Sequence, residues 1–418
     1  MKTSRRDGTC WPPHSIFNVE TGNIAATVRT AGTNAQFHHL RGTVNLISKA
    51  LTLVEPGLLE AGYLHGRLGN AFRDESGDFE SELQEYDRAM KIANQFGDRR
   101  LEGRINIHYG QHYDWTGEPQ KVIEYCRKAD DLARETDDAL TERAAVLYTA
   151  WASVGQWDID AVRILEKRAI EIGERLRLFE PTLFSWELAI WEGDWTSANS
   201  LAGAELERTR DEKIFLRRKI AIQAYIGTEF IEQEWGEGIA GFIHPTRWFG
   251  LTITEWIAAR GNHVSDWIEE WLESHGSSIN ASLQRVNDMA RTARALATGD
   301  DDSMSGLYDG LSRFAGWWDV LSGTAVDHLL GMLADRMANY EEAAEHFEYV
   351  IKRSREVSFR PTLALVSADY AEMLITRGAS EDTEKATELQ DEAIAIATEL
   401  GMQPLLERVL AQRDILKA

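Results

Sequence analysis

Cysteine, proline, basic charge and long apolar runs are all scarce in this 418-residue sequence, and each scarcity narrows what the chain can be. Two cysteines, Cys10 and Cys126, make neither a disulfide framework nor a thiolate metal site, and they suit a reducing cytoplasm. Eight prolines, and almost no runs that alternate apolar and polar residues, argue against a β-rich fold. Basic residues number 45 against 68 acidic ones, a net charge of −23 that opposes direct binding to nucleic acid or an anionic lipid surface. No apolar run approaches the roughly 18 residues of a membrane-spanning helix. Arg5 and Arg6 have no apolar run behind them, so no secretory signal is visible and a cytoplasmic location is expected. Gly-Lys pairs are absent altogether, and with them the G-x-x-x-x-G-K-[ST] loop that cradles phosphate.

What is abundant is helix-forming sequence. Apolar residues make up 43% of the chain, enough for a sizeable core, and long stretches are rich in Ala, Leu, Glu and Arg, so the expected class is all-α. The clearest stretch is 327–351. Leu330, Leu333 and Met337 fall at helical spacing, with Gly331 where a small residue lets a neighbouring helix approach. After a polar break at Ala338-Asn339-Tyr340, the residues Ala343, Ala344, Phe347, Val350 and Ile351 mark one face of a second helix. Helix, short turn, helix is a hairpin unit, and other stretches copy it.

Three copies run through 60–180, with turns at Gly77-Asp78, Gly117-Glu118-Pro119 and Gly155-Gln156-Trp157. Ala89, Ala129 and Ala169 occupy one position in these copies and stand 40 residues apart. A fixed period of that size, with a helix pair per copy, predicts an α-solenoid of antiparallel pairs. The expected organisation is a poorly defined segment at 1–55 with one fair helix around 40–54, repeats at 56–180, a divergent Trp-rich region at 181–300, and repeats with a capping helix at 301–418. In the divergent region Trp191-Glu192-Gly193-Asp194-Trp195 reads as a turn between helices, and the tryptophans 186, 191, 195, 235, 248, 256, 267 and 271 read mostly as bulky filler for irregular helix pairs. The acidic run Gly299-Asp300-Asp301-Asp302-Ser303 reads as an exposed loop.

Leu330-Gly331, Ala334, Tyr340, Ala343, Phe347 and Val350, then Pro361, resemble the tetratricopeptide repeat, as do Leu68-Gly69, Phe72, Tyr86 and Ala89. The early aromatic of that pattern is missing, since His65 and Asp327 stand in its place, and the copies run to about 40 residues where 34 is usual. The longer copies look like the repeat arms of large bacterial signalling ATPases, namely LuxR-type transcriptional activators of the maltose-regulon kind and nucleotide cyclases joined to an ATPase. The ending 393–402 followed by Pro404, Leu405, Leu406, Glu407 and Arg408 is the most specific match. The resemblance covers roughly residues 60–418, strongly at both ends and weakly between. It implies a right-handed solenoid that senses a small effector or a partner protein. The phosphate loop of the ATPase and a helix-turn-helix output domain are not seen, so only the arm's role carries over.

Candidate chemistry is sparse. Gly236-Glu237-Gly238-Ile239-Ala240-Gly241 fits a dinucleotide string, but the preceding segment is acidic and helix-like, and its carboxylates would repel a pyrophosphate; a loop between helices is the better reading. His108 and His112 share a helical face, yet no Glu follows the first and no third ligand is apparent, so they read as polar groove lining. The Glu pairs 269–270 and 341–342 read as solvated helix faces, Cys126 as a core position, and Asn280-Ala281-Ser282 as an idle glycosylation string. If the repeats stack like tetratricopeptides, their first helices line a groove carrying Asn70, Arg73, Arg104, Gln111, Asp114, His328, Met332 and Asp335. The expectation is a non-enzymatic sensor or scaffold arm that uses no cofactor or metal and binds a protein segment, or a small effector, in that groove. The alternative is a subunit or fragment of a LuxR-type regulator whose ATPase and DNA-binding parts lie elsewhere.

Overall fold

The computed structural model describes residues 42–177, 184–209, 212–227, 284–320, 322–380 and 382–417. Most of the 1–55 segment, the 236–241 glycine string, Glu269–Glu270, Asn280 and the tryptophans 235, 248, 256, 267 and 271 lie outside the described residues. The rest is almost wholly helical, and consecutive helices pack pairwise. By chain contacts it divides into two compact units. The first holds the described residues up to Ala152 together with 167–177; the second holds 153–166, 184–227 and the residues from Arg285 onward.

In the first unit, α1 (Thr43–Leu51) lies on α2 (Leu59–Ser76), which pairs with α3 (Phe79–Phe96); α4 (Arg99–Thr116) pairs with α5 (Pro119–Glu135). Helix α6 (Ala139–Gly155) belongs to this unit as far as Ala152, and α7 (Ile159–Arg175) from Lys167 onward. Two of the helix ends are written in the sequence as Gly-Asp. Gly77 and Gly97 close α2 and α3 in the left-handed conformation, and the next residue caps the following helix: Asp78 accepts from Ser81 N–H at 3.0 Å and Asp98 from Leu101 N–H at 2.8 Å. Glycine reaches that backbone region without a Cβ penalty, and the carboxylate satisfies one of the orphan N–H groups of the new helix.

The close approach foreseen at Gly331 is general. A Cβ built on Gly69 would lie 2.4 Å from Tyr86, one on Gly110 2.7 Å from the Cys126 sulfur, and one on Gly331 2.7 Å from Phe347. In each pair the first helix contributes the missing side chain and the second helix fills the space with a larger one. The recurring Ala89, Ala129 and Ala169 are all buried, for the same reason of helix proximity. Cys126 is buried in an apolar cluster with Ile107, Val122, Ala129, Ala145 and Ala152, as its repeat position predicted.

The second unit contains α8 (Ser185–Glu192), α9 (Trp195–Thr209), α10 (Glu212–Ile226), α11 (Gln284–Thr298), α12 (Asp301–Ser312), α13 (Val326–Arg336), α14 (Tyr340–Val357), α15 (Arg360–Arg377), α16 (Asp382–Leu400) and α17 (Gln403–Lys417). A two-residue antiparallel ribbon, β1 (Trp318–Asp319) with β2 (Thr324–Ala325), precedes α13. The start of α8 is capped from outside its own sequence: Glu166 accepts from Phe184 N–H at 2.8 Å and from Ser185 N–H at 2.9 Å.

Contacts here reach far along the chain. Helix α8 packs on α15 and α10 on α17. Trp157, Trp191 and Phe359 surround the fully buried Trp318, with ring centroids 4.8–5.3 Å from it. Trp157 Nε1 donates to the Gly316 carbonyl at 3.1 Å and Trp195 Nε1 to the Leu400 carbonyl at 2.7 Å, joining residues 159 and 205 positions apart. Trp157 does this from a left-handed backbone, φ +63°, which a non-glycine residue adopts only when its surroundings compel it. The described tryptophans 186 and 191 are core, and Trp195 is half-buried with its ring stacked on Tyr225. The acidic run at 299–303 departs from the expected loop: only Gly299 and Asp300 are outside a helix, and Asp301 and Asp302 form the first turn of α12. Carboxylates there are favoured by the positive end of the helix dipole, a preference that a loop reading of acidic residues overlooks.

Candidate functional site

Four of the eight candidate groove residues, Asn70, Arg73, Gln111 and His328, belong to two hydrogen-bonded ladders, one in each unit, that step between first helices. In the first unit, the Asn70 amide meets His108 Nδ1 at 3.2 Å, Arg73 donates to the Gln111 side-chain oxygen at 3.4 Å, and Gln111 donates to the Tyr148 hydroxyl at 2.6 Å. These contacts cross from α2 to α4 to α6 at separations of 38, 38 and 37 residues. Asn70 and Arg73 are buried, whereas Arg104, Gln111 and Asp114 are half-buried. Arg104 pairs with Asp138 at 3.0 Å and lies over the Tyr63 ring.

Beneath this ladder lies Glu82, fully buried on α3. It accepts from Tyr86 Oη at 2.8 Å and from Arg73 at 3.2 Å, and its second oxygen lies 2.8 Å from His112 Nδ1. A carboxylate out of water needs such partners, because an unpaired one would cost several kcal/mol. Burial opposes the Arg73 charge, but Tyr86, Asp74 and Glu82 outweigh it and hold the guanidinium's pKa above its ordinary value. The same arginine keeps a neighbour neutral. Burial first, then Arg73 and Arg67, push His108 down to about 3, and its ring stacks on Tyr86 with centroids 5.4 Å apart. His108 and His112 therefore share a helical face, as their spacing predicts, but each is committed to a different partner. Burial also pushes Tyr148 up to about 12.

The second ladder crosses α13, α15 and α17. His328 Nε2 lies 2.7 Å from Asp369, whose other oxygen accepts from Arg408 at 2.7 Å, and Gln412 donates to Glu372 at 2.8 Å. His328 is fully buried, and Met332 and Asp335 are half-buried one and two turns further along the same helix. Asp335 makes no ion pair among the described residues. Burial, then Glu372 and Asp369, push its carboxyl up to about 6. This face holds three carboxylates, Asp335, Asp369 and Glu372, and is under-neutralised. The face in the first unit carries Arg73, Arg104 and a neutral histidine.

Spacing found both members of the Asn70–His108 and Arg73–Gln111 steps, one member of Gln111–Tyr148 and His328–Asp369, and neither member of Asp369–Arg408 and Glu372–Gln412. Glu82, Tyr148, Asp369, Glu372 and Gln412 were not singled out, and Tyr86 and Arg408 figured only in the repeat resemblance. The signal that could have found Tyr148, Asp369 and Glu372 is a polar residue 37–41 positions from a candidate, one repeat away, and a second step of that size reaches Arg408 and Gln412. Among the described residues no three His, Cys, Asp or Glu side chains are grouped as a metal ion would need, and no helix is long and apolar enough to cross a membrane. No protein-family model matches the chain, and no curated protein matches it.

Proposed function

We propose that this chain is a non-enzymatic helical-repeat arm, a right-handed solenoid of tetratricopeptide-like pairs, that binds a protein segment or a small effector along the faces of its first helices. The observation that carries the reading is the pair of ladders, which join first helices at separations of 37–41 residues in both units. In the first unit the starts of α2, α4 and α6, at Leu59, Arg99 and Ala139, support a period of 99 − 59 = 139 − 99 = 40 residues. Half-buried polar side chains on such a face combine a rigid mounting with access for a ligand, and their mixed sign suits a peptide or a polar small molecule. A net charge of −23 disfavours nucleic acid as that ligand and fits a chain that works in solution in the cytoplasm.

A second reading is supported by the ending 393–410: the chain is a component of a LuxR-type regulator whose ATPase and DNA-binding parts are on another polypeptide. Screening of peptide and metabolite libraries by thermal shift tests both. The expected result is a ligand whose stabilisation is lost in Arg104→Ala or in Glu372→Ala, with no ATP or cyclase turnover by the purified chain. Robust turnover, or hits indifferent to both substitutions, would remove the arm reading. Stabilisation only by an ATPase subunit added in trans would favour the second.

A further inference from the structure

We propose that Tyr308 is an acyl-acceptor site whose phenol oxygen is activated by the His346–Asp327 pair, with small activated esters as its class of donor. Tyr308 stands on α12, Asp327 in the first turn of α13 and His346 on α14, all in the second unit. The Tyr308 hydroxyl lies 2.9 Å from His346 Nε2, and His346 Nδ1 lies 2.8 Å from Asp327 Oδ1. Both distances fall in the range of about 2.6–3.2 Å within which a nucleophile, its base and an orienting group work together. Asp327 is buried, and its other oxygen accepts from the Gly316 N–H, which fixes the carboxylate. A carboxylate at Nδ1 places the ring hydrogen there and leaves the Nε2 lone pair facing the phenol. Tyr308 and His346 are half-buried, whereas Asp327 is buried behind them. Three helices thus supply hydroxyl, base and orienter in the order of a nucleophilic triad. None of the three belongs to the ladders, and the inference does not rest on the binding reading.

Burial, then a hydrogen bond to Glu342 with the charges of Glu342 and Asp327, hold the phenol above its ordinary range. Free phenolate is therefore not the reacting form, and the proton has to leave as the new bond forms. In that step Tyr308 Oη bonds to the ester's carbonyl carbon and its proton passes to His346 Nε2. The ester C–O bond breaks and its electron pair departs with the leaving oxygen. Asp327 stabilises the imidazolium, which then returns its proton to water.

The test treats the full chain with p-nitrophenyl acetate at neutral pH and follows O-acetylation of each tyrosine by peptide mass spectrometry. Tyr308 is expected to react roughly 10²-fold faster than Tyr340, which is also half-buried, the usual contribution of a positioned base. His346→Gln is expected to bring Tyr308 down to the Tyr340 rate, with circular dichroism unchanged, and Glu345→Gln, exposed on the same helix, to leave it within about twofold. Should His346→Gln fail to fold, Asp327→Asn, which disturbs the tautomer and leaves the imidazole, is expected to slow Tyr308 by about tenfold or more. Equal rates at Tyr308 and Tyr340 in the unsubstituted chain, a wild-type rate in the folded His346 or Asp327 variant, or an equal loss in Glu345→Gln would each overturn the assignment.

Discussion

Replacing Asp335 by Asn should stabilise this protein at pH 7.5 and leave it unchanged near pH 4. The carboxyl is half-buried beside Asp369 and Glu372, with Arg336 as its one favourable charge, and its pKa stands at about 6 against an ordinary 3.8. A carboxyl raised on folding holds its proton more tightly in the folded chain than in the unfolded one. This group's contribution to stability is therefore greatest below pH 3.8, falls as pH rises toward 6, and stays low above it. The gap of 6 − 3.8, about 2.2, corresponds to about 3 kcal/mol at 1.36 kcal/mol per pH unit. Contact with water screens about half of that, leaving about 1–1.5 kcal/mol. For a cooperative unit of roughly 150–250 residues this is a rise of about 2–6 °C in melting temperature. Scanning calorimetry of both chains between pH 4 and pH 8 reads the difference directly. The gap between variant and parent should open across pH 4–6 and then level off. A variant that melts lower at pH 7.5, or a gap that ignores pH, would refute the reasoning.

The other predictions concern the packing that holds the ladders. Gly69→Ala forces a Cβ to 2.4 Å from the Tyr86 ring and 2.9 Å from the Glu82 carbonyl oxygen, and should cost about 1–3 kcal/mol in urea unfolding. Gly203→Ala, on α9 with nothing within 4 Å, should instead gain about 0.5–1 kcal/mol from helix propensity. Arg73→Met leaves Glu82 buried with Tyr86 and His112 as its remaining partners and should destabilise by about 3–5 kcal/mol. Adding Glu82→Gln should recover part of that loss, and strict additivity of the two in a double-mutant cycle would show that they do not interact.

Most of the helical punctuation was legible because it is local chemistry. Gly-Asp pairs mark where one helix ends and the next begins, and the structure places left-handed glycines and aspartate caps at those positions. Gly331 and Cys126 were legible as packing positions because a small residue at helical spacing has few other uses. The candidate groove residues were legible only as a face. Asn70 and Arg73 share that face with Gln111, but their burial depends on Tyr86 and Glu82 crossing over them from α3, and no helical periodicity within α2 carries that information. The short β ribbon at Trp318–Ala325 went unforeseen, since two paired residues leave no alternation to detect.

The sequence by itself determined the all-helical class, the pairing of neighbouring helices and the places where they approach closely. Those follow from turn chemistry and from side-chain size within about 40 residues. Tertiary structure alone decided which polar groups are consumed by one another and which stay open. His108 loses its charge because the fold buries it and brings Arg73 and Arg67 to it, and Asp335 resists ionisation because it is buried beside Glu372 and Asp369. It alone also brought Trp157 and Trp191 against Trp318 and Phe359, partners as far as 202 residues away along the chain (359 − 157). Coulomb interaction and burial depend on distance through space, and spacing along a chain specifies that distance only between neighbours.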